Sequence, residues 1–191
     1  MRTALVLGGA ACLHDDIDAY DGPVDGVVAC NEAGAEWAGE LDAWVSLHPL
    51  YFRKKGWRKK RKDRGYPDAK RHMGHPEAFR NKTTVMKWMD PDVEAVPYRM
   101  TEEGPSGSSG LYAAKVALVD LGFDRIVLCG IPMTATPHFF DAEPWDSARS
   151  FQRAWLHVPI SCRKRMRSMS GWTRVLLGAP EANGGTECST L

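Results

Sequence analysis

Short apolar runs closed by glycine, asparagine or proline alternate along the chain with stretches whose apolar positions recur at helical spacing. Ala4-Leu-Val-Leu7 runs into Gly8-Gly9-Ala10, as a buried parallel strand does when it turns sharply at its C-terminal end. A second β-branched run, Val24 to Ala29, ends at the polar turn Asn31-Glu-Ala-Gly34, which puts Asn31 at that strand's C-terminal end. A brief helix is expected over Ala33 to Gly39. Ala43-Trp-Val-Ser-Leu47 then reads as a third strand, stopped at His48-Pro49 because proline turns its predecessor away from helix.

Further along, Thr83 to Met89 has the composition of another strand, and Asp90 to Glu103 reads as loop, punctuated by Pro91 and Pro97. The sharpest pattern follows. A loop, Gly104-Pro-Ser-Gly-Ser-Ser-Gly110, leads to a helix from Leu111 to Leu121, a turn at Gly122-Phe-Asp124, and a buried strand from Arg125 to Cys129, closed by Gly130. Strand, crossover helix and parallel strand are the unit of open α/β sheets, in which ligands collect at the strands' C-terminal edge. Gly8-Gly9, Asn31, His48, the Ser/Gly loop and Ile131-Pro132 are expected to gather there. An amphipathic helix over Ala148 to His157, a basic Arg163-Lys-Arg-Met-Arg167 and Gly171 to Gly178 complete the ordered chain. The pattern predicts one α/β domain of Rossmann-like type over residues 1–180, a mainly parallel sheet flanked by helices, with a flexible tail over 181–191 and no internal repeat.

Length agrees with a single core, since 191 residues are too few for two ordinary domains. The formal net charge is +1, from 25 Lys and Arg against 24 Asp and Glu, so only a local patch can argue for a polyanionic partner. That patch is Arg53 to Arg64, where nine of twelve residues are Lys or Arg. With the polar stretch up to Arg80 it reads as an exposed excursion over 53–80, a solvated face or an arm for polyanions. Cys12, Cys30, Cys129, Cys162 and Cys188 form an odd set without a CxxC pair, and two lie in strand-like runs where reduced thiols are common. A cytoplasmic location is the expectation. No basic segment with a long apolar run opens the chain, and no run approaches the roughly 18 apolar residues of a membrane span, so neither export nor a membrane is expected. The seven tryptophans suit either a core or an interface between copies, and an oligomer is compatible with the sequence.

Backbone N–H groups at a helix start, reinforced by the helix dipole and serine hydroxyls, make an anion site. Ser106 to Gly110 supplies that chemistry, with Ser108, Ser109 and Gly110 as first choices; alternatively Ser109 only caps the helix. Gly8-Gly9 lacks the full GxGxxG spacing, and no acidic residue follows in a ribose-binding context, which disfavours an NAD site. Asn31 can donate and accept, as a base or ribose requires. The six histidines show no HxxxH or HExxH pair, so no zinc site is expected. His138, beside Phe139-Phe140-Asp141, can act as acid or base near neutral pH. No GxSxG elbow, P-loop or Cys/His nucleophile pair occurs. Together these features predict a phosphate-bearing, nucleotide-derived ligand between the first strand and the Ser/Gly loop.

Leu5-Val-Leu-Gly-Gly9, Asn31, His48-Pro49, and Pro105 to Leu118 leading into Asp124-Arg-Ile-Val-Leu-Cys-Gly-Ile131 resemble the nucleotide-binding core of bacterial sialyltransferases. The pterin-diphosphokinase-like family is similar to the same pattern. The resemblance covers about Arg2 to Leu50 and Gly104 to Asp141. It implies a bound CMP-sugar donor, with Gly8, Gly9, Asn31, His48, Ser108, Ser109 and Gly110 in the matching places and no cofactor beyond that donor. Thr134 and His138 stand where that family has two tyrosines that assist the departing phosphate. His157 is the later histidine available as general base. Three functions stay open: a small nucleotide-sugar glycosyltransferase, a non-catalytic nucleotide- or nucleic-acid-binding module, and a diphosphokinase-like enzyme.

Overall fold

The apolar runs that end at Gly8, Asn31, Leu47 and Gly130 become parallel strands, and alternate residues along them face opposite layers of helices. The structure is a computed structural model that describes residues 1–75, 91–98, 100 and 107–181. In chain order its elements are β1 (Thr3–Leu7), α1 (Leu13–Asp18), β2 (Gly26–Cys30), α2 (Glu32–Glu36), β3 (Ala43–Ser46), α3 (Tyr51–Lys54), α4 (Trp57–Asp63), β4 (His72–Gly74) and β5 (Val93–Ala95). Then come α5 (Ser109–Lys115), which continues as a π-helical turn (Val116–Asp120), β6 (Arg125–Cys129), the hairpin β7 (Pro137–His138) and β8 (Asp141–Pro144), α6 (Ala148–Leu156), α7 (Ile160–Arg163), β9 (Met166–Ser168) and α8 (Gly171–Leu177). Among the described residues the main sheet has seven strands in the order β5-β4-β3-β2-β1-β6-β9, and all its pairs are parallel. The chain runs outward from β1 to β5, returns, and builds β6 and β9 on the other flank. That reversal leaves a crevice beyond the C-terminal ends of β1 and β6.

Period-two alternation divides the core. Ala4, Val6, Val28, Cys30, Val45, Ile126 and Leu128 face α5, the π-helical turn and α6. Leu5, Leu7, Val27, Ala29, Trp44, Val127 and Cys129 face α1 to α4. Both faces are covered, which is why these runs are continuously apolar and not alternating. Trp44, Trp57 and Trp155 are fully buried and fill the core. No helix among the described residues is long and apolar enough to cross a membrane.

Three stretches differ from expectation. The described part of the excursion over 53–80 takes in the end of α3, α4 and the three-residue β4; most of its Lys and Arg are exposed, but several bind the fold. Arg61 is buried; it donates to the carbonyls of Gly34 at 2.7 Å, Gly39 at 2.6 Å and Pro67 at 2.5 Å, and also to that of Trp37. Two of these are acceptors at the C-terminal end of α2, where helical carbonyls lack partners. Arg58 bridges Asp68 and Asp92, each at 2.9 Å, and so ties α4 to the approaches of β4 and β5. Lys55, Lys59 and Arg64 pair with Glu32, Asp63 and Glu36. Pattern analysis misses β4 because a three-residue strand carries no period, and His72 is buried against Trp44 and Phe52 by tertiary packing. β5 replaces part of the loop expected over Asp90 to Glu103, and β9 begins inside the basic segment Arg163 to Arg167. β9 extends one residue past that segment, and in it Met166 and Ser168 are buried while the intervening Arg167 is half-buried, as an edge strand permits. The strand expected over Thr83 to Met89 lies outside the described residues, as does the tail beyond Glu181.

Replacing Arg61 with Leu strands four carbonyls, so urea unfolding should show a loss of about 3 kcal/mol. Lys60→Ala, on the exposed face of the same helix, should stay within about 0.5 kcal/mol of the parent.

Candidate functional site

A cavity of about 410 Å³ opens at the C-terminal edge of the sheet, over the crevice between β1 and β6. Gly8, Gly9, Asn31, His48, Ser108, Ser109, Gly110 and His138 all line it, so the structure brings together every site residue expected from sequence except His157. His157 caps the far end of α6, is exposed, and places its Nδ1 2.8 Å from the Arg153 carbonyl.

Asn31 is the node of the cavity. Its backbone has φ +50° and ψ −130°, a region that costs a side-chain-bearing residue on the order of 1–3 kcal/mol. Three neighbours on two elements, β3 and α5, hold it there. The Trp44 indole donates to its carbonyl at 2.7 Å, Ser46 Oγ donates to its Oδ1 at 2.9 Å, and its Nδ2 donates to Ser109 Oγ at 3.1 Å. Ser46 Oγ in turn accepts the His48 backbone N–H at 3.0 Å. One chain of hydrogen bonds therefore connects the ends of β2 and β3 to the start of α5.

The two serines divide their work. Ser108 is the N-cap: its buried Oγ accepts the Leu111 N–H at 3.4 Å. Ser109, half-buried, is the hydroxyl next to Asn31. The capping role considered for Ser109 thus belongs to its neighbour. Gly8 and Gly110 are required by close packing as well as by the cavity. A Cβ on Gly8 would collide with Ile131 and stand 2.5 Å from the Gly130 carbonyl, and one on Gly110 would stand 2.8 Å from Ile131 Cγ2. Gly9 is more open, with His138 and Phe140 as its nearest neighbours.

The turn after β6 forms the floor. Asp16 is buried and accepts from the Gly130 N–H and from Ser170 Oγ, both at 2.8 Å. Thr173 Oγ1 donates to the Ile131 carbonyl at 2.6 Å. The opposite wall is aromatic: His138 stacks on Phe140 with centroids 4.9 Å apart, and Trp145 stacks on Phe151 at 5.5 Å. Thr134 and Thr136 complete that side. Ile131 and Pro132 line it as expected, whereas Met133, Phe140, Trp145 and Phe151 carry no motif that marks them for the site. Glu32 also lines the cavity, at the C-terminal end of β2. Glu32 belongs to the polar turn expected after the second strand, and no GxGxxG frame accompanies it.

Burial pulls the His138 pKa below its ordinary 6.5, against the opposing pull of Glu32 and Asp141, so the imidazole is neutral at neutral pH. Burial pushes the Cys30 thiol up to about 12 and the Cys12 thiol up to about 11, which keeps both protonated and unsuited to nucleophilic work. Among the described residues no group of three or more His, Cys, Asp or Glu side chains could hold a metal ion.

The chain has the fold of bacterial sialyltransferases. It is similar to the sialyltransferase CstII of Campylobacter jejuni solved with cytidine-5′-monophosphate, at TM-score 0.65 and 14% identity over 95% of this chain and 86% of that one. It is similar to CST-II solved with a trisaccharide acceptor and CMP, at TM-score 0.67 and 16% identity over 97% and 89%. The monofunctional α-2,3-sialyltransferase Cst-I of Campylobacter jejuni matches at TM-score 0.60 and 15% identity over 94% and 80%. No family model matches the sequence. No curated protein matches it either.

Strain and clamping at Asn31 separate in two variants. Asn31→Gly relieves the backbone while losing the side-chain bonds, and should unfold within about 1 kcal/mol of the parent. Asn31→Ala keeps the strain and loses the same bonds, and should be less stable than Asn31→Gly by about 1–2 kcal/mol in urea.

Proposed function

We propose that this chain is a small glycosyltransferase-like enzyme that binds a nucleotide-sugar donor, a CMP-sugar by preference, in the cavity at the sheet's C-terminal edge. The observation that carries this is the joining of Asn31, Ser46, His48 and Ser109 into one hydrogen-bonded set, on the fold shared by sialyltransferases solved with CMP.

In this reading the donor's phosphate lies against Ser109 Oγ and the first-turn N–H groups of Ser109 and Gly110, which are the orphan donors of a helix start. Asn31 and His48 position the nucleoside. An acceptor hydroxyl oxygen attacks the anomeric carbon, the bond from that carbon to the phosphate oxygen breaks, and the nucleotide leaves with the electron pair. Ser109 and the helix N–H groups stabilise the charge that grows on the phosphate, which supplies the main catalytic effect. His138 is the proton acceptor for the attacking hydroxyl, because it is neutral and lines the cavity. His157, on the outer end of α6, is not needed for that step.

A thermal-shift panel of CMP, CDP, UDP, GDP, ADP and their sugar conjugates should show selective stabilisation by cytidine nucleotides, because a ligand of the folded state raises Tm by mass action. Ser109→Ala should weaken that binding roughly tenfold; no shift with any nucleotide would sink the proposal. The sign of the pH effect follows from His138. Its neutral form is the base and its pKa lies below 6.5, so transfer should be fully active above that pH and fall as pH drops through the lowered value. His138→Gln should abolish this acid limb together with most of the rate, measured as CMP release across pH.

A further inference from the structure

Glu32 is the one Asp, Glu, Lys or Arg among the described residues that line the cavity. It is the first residue of α2, directly after Asn31 at the end of β2, and its side chain is 17% exposed. The carboxylate is held in place by two neighbours that do not line the cavity: the buried Trp57 indole donates to Oε1 at 3.1 Å, and the Lys55 ammonium stands 3.8 Å from the same oxygen. An ionised carboxylate offers about four acceptor sites on its two oxygens. Trp57 takes one, and among the described residues no other hydrogen-bond donor occupies the rest. Glu32 and His138 line the same cavity.

A carboxylate fixed this way selects what can sit beside it. It repels a phosphate or another carboxylate and offers nothing to a carbonyl. Its complement is a pair of neighbouring donors, and in a nucleotide sugar these are vicinal hydroxyls. The anion-binding groups, Ser109 and the start of α5, lie on the other side of Asn31, joined to it through Nδ2. The cavity is therefore polarised, with a phosphate-compatible end at α5 and a hydroxyl-compatible end at α2. Acids at strand C-terminal ends in open parallel sheets read sugar hydroxyls in the same manner.

We infer that Glu32 is a specificity-determining residue that accepts hydrogen bonds from a vicinal diol of the bound ligand, orienting it with its phosphate toward Ser109. The inference rests on the nucleotide-sugar reading of the cavity. The diol can belong to the ribose or to the transferred sugar, and one experiment separates the two sources.

Calorimetric titration of the whole chain and of its Glu32→Gln variant would use CMP, 2′-deoxy-CMP and CMP-N-acetylneuraminic acid. The variant keeps an acceptor oxygen for Trp57, so an unchanged urea midpoint shows that the fold is intact. If Glu32 reads the ribose, the parent binds CMP about tenfold more tightly than 2′-deoxy-CMP, because a site built for a hydroxyl is left with an unpaired carboxylate when it is missing. In Glu32→Gln that ratio falls to about two. If Glu32 reads the transferred sugar, the ratio of CMP to 2′-deoxy-CMP is the same in both proteins, and the variant loses affinity for the conjugate about tenfold more than for CMP. Binding of all three ligands unchanged by Glu32→Gln overturns the inference while the nucleotide reading stands. Absence of binding by all three to the parent chain removes that reading and the inference with it.

Discussion

A parallel sheet buries both faces, and that constraint shapes everything else in this molecule. β1, β2, β3 and β6 can carry apolar residues on consecutive positions only because helices cover them from both sides. Each helix must then cross over the sheet and return the chain to the same end, so every strand delivers its last residue to one edge. The outward run from β1 to β5, followed by the return to β6, opens the crevice that becomes the cavity. The site is thus a consequence of how the core is wound, and its residues occupy the positions at which apolar strands must give way to polar turns.

Asn31 shows how the edge is made rigid. Its backbone conformation is unfavourable for an asparagine, and the carbonyl bond from Trp44 and the side-chain bonds with Ser46 and Ser109 keep it in place. Strain of this kind persists only when its surroundings over-determine it, and it concentrates at functional sites. The same bonds fix the relative positions of β2, β3 and α5, so geometry suited to a ligand exists before any ligand arrives. On the far side of α2, Arg61 closes the carbonyls that the helix leaves open, supporting from behind the segment that presents Asn31 and Glu32.

The electrostatics of the cavity follow from burial. His138 loses its proton more readily because it packs against Phe140 and Trp145, while Cys30 retains its proton for the same physical reason. His138, the Glu32 carboxylate and a set of N–H and hydroxyl donors therefore share one lining, the combination on which the proposed ligand orientation rests. The aromatic wall excludes water from one side and raises the effect of each of those charges.

By itself the sequence determined the strands built on continuous apolar runs, their glycine and asparagine ends, and the loop-helix-strand unit around Ser109. Those features are local: a buried parallel strand and a capped helix leave their mark within a few residues. It also determined which strand ends would meet, since Gly8, Gly9, Asn31, His48 and Ser109 follow from winding those units in one sense. The short strands β4 and β9 were left to tertiary structure, because three residues carry no period and their burial comes from distant partners such as Trp44. So was the basic segment's role, because Lys and Arg look alike in sequence whether solvated or, like Arg61, wrapped around carbonyls. Tertiary structure alone decided that Ser108 caps while Ser109 faces Asn31, that His138 enters the cavity while His157 stays outside, and that Glu32 joins it. Each of these depends on the direction a side chain takes relative to elements far away in sequence, and no pattern of neighbours along the chain encodes that.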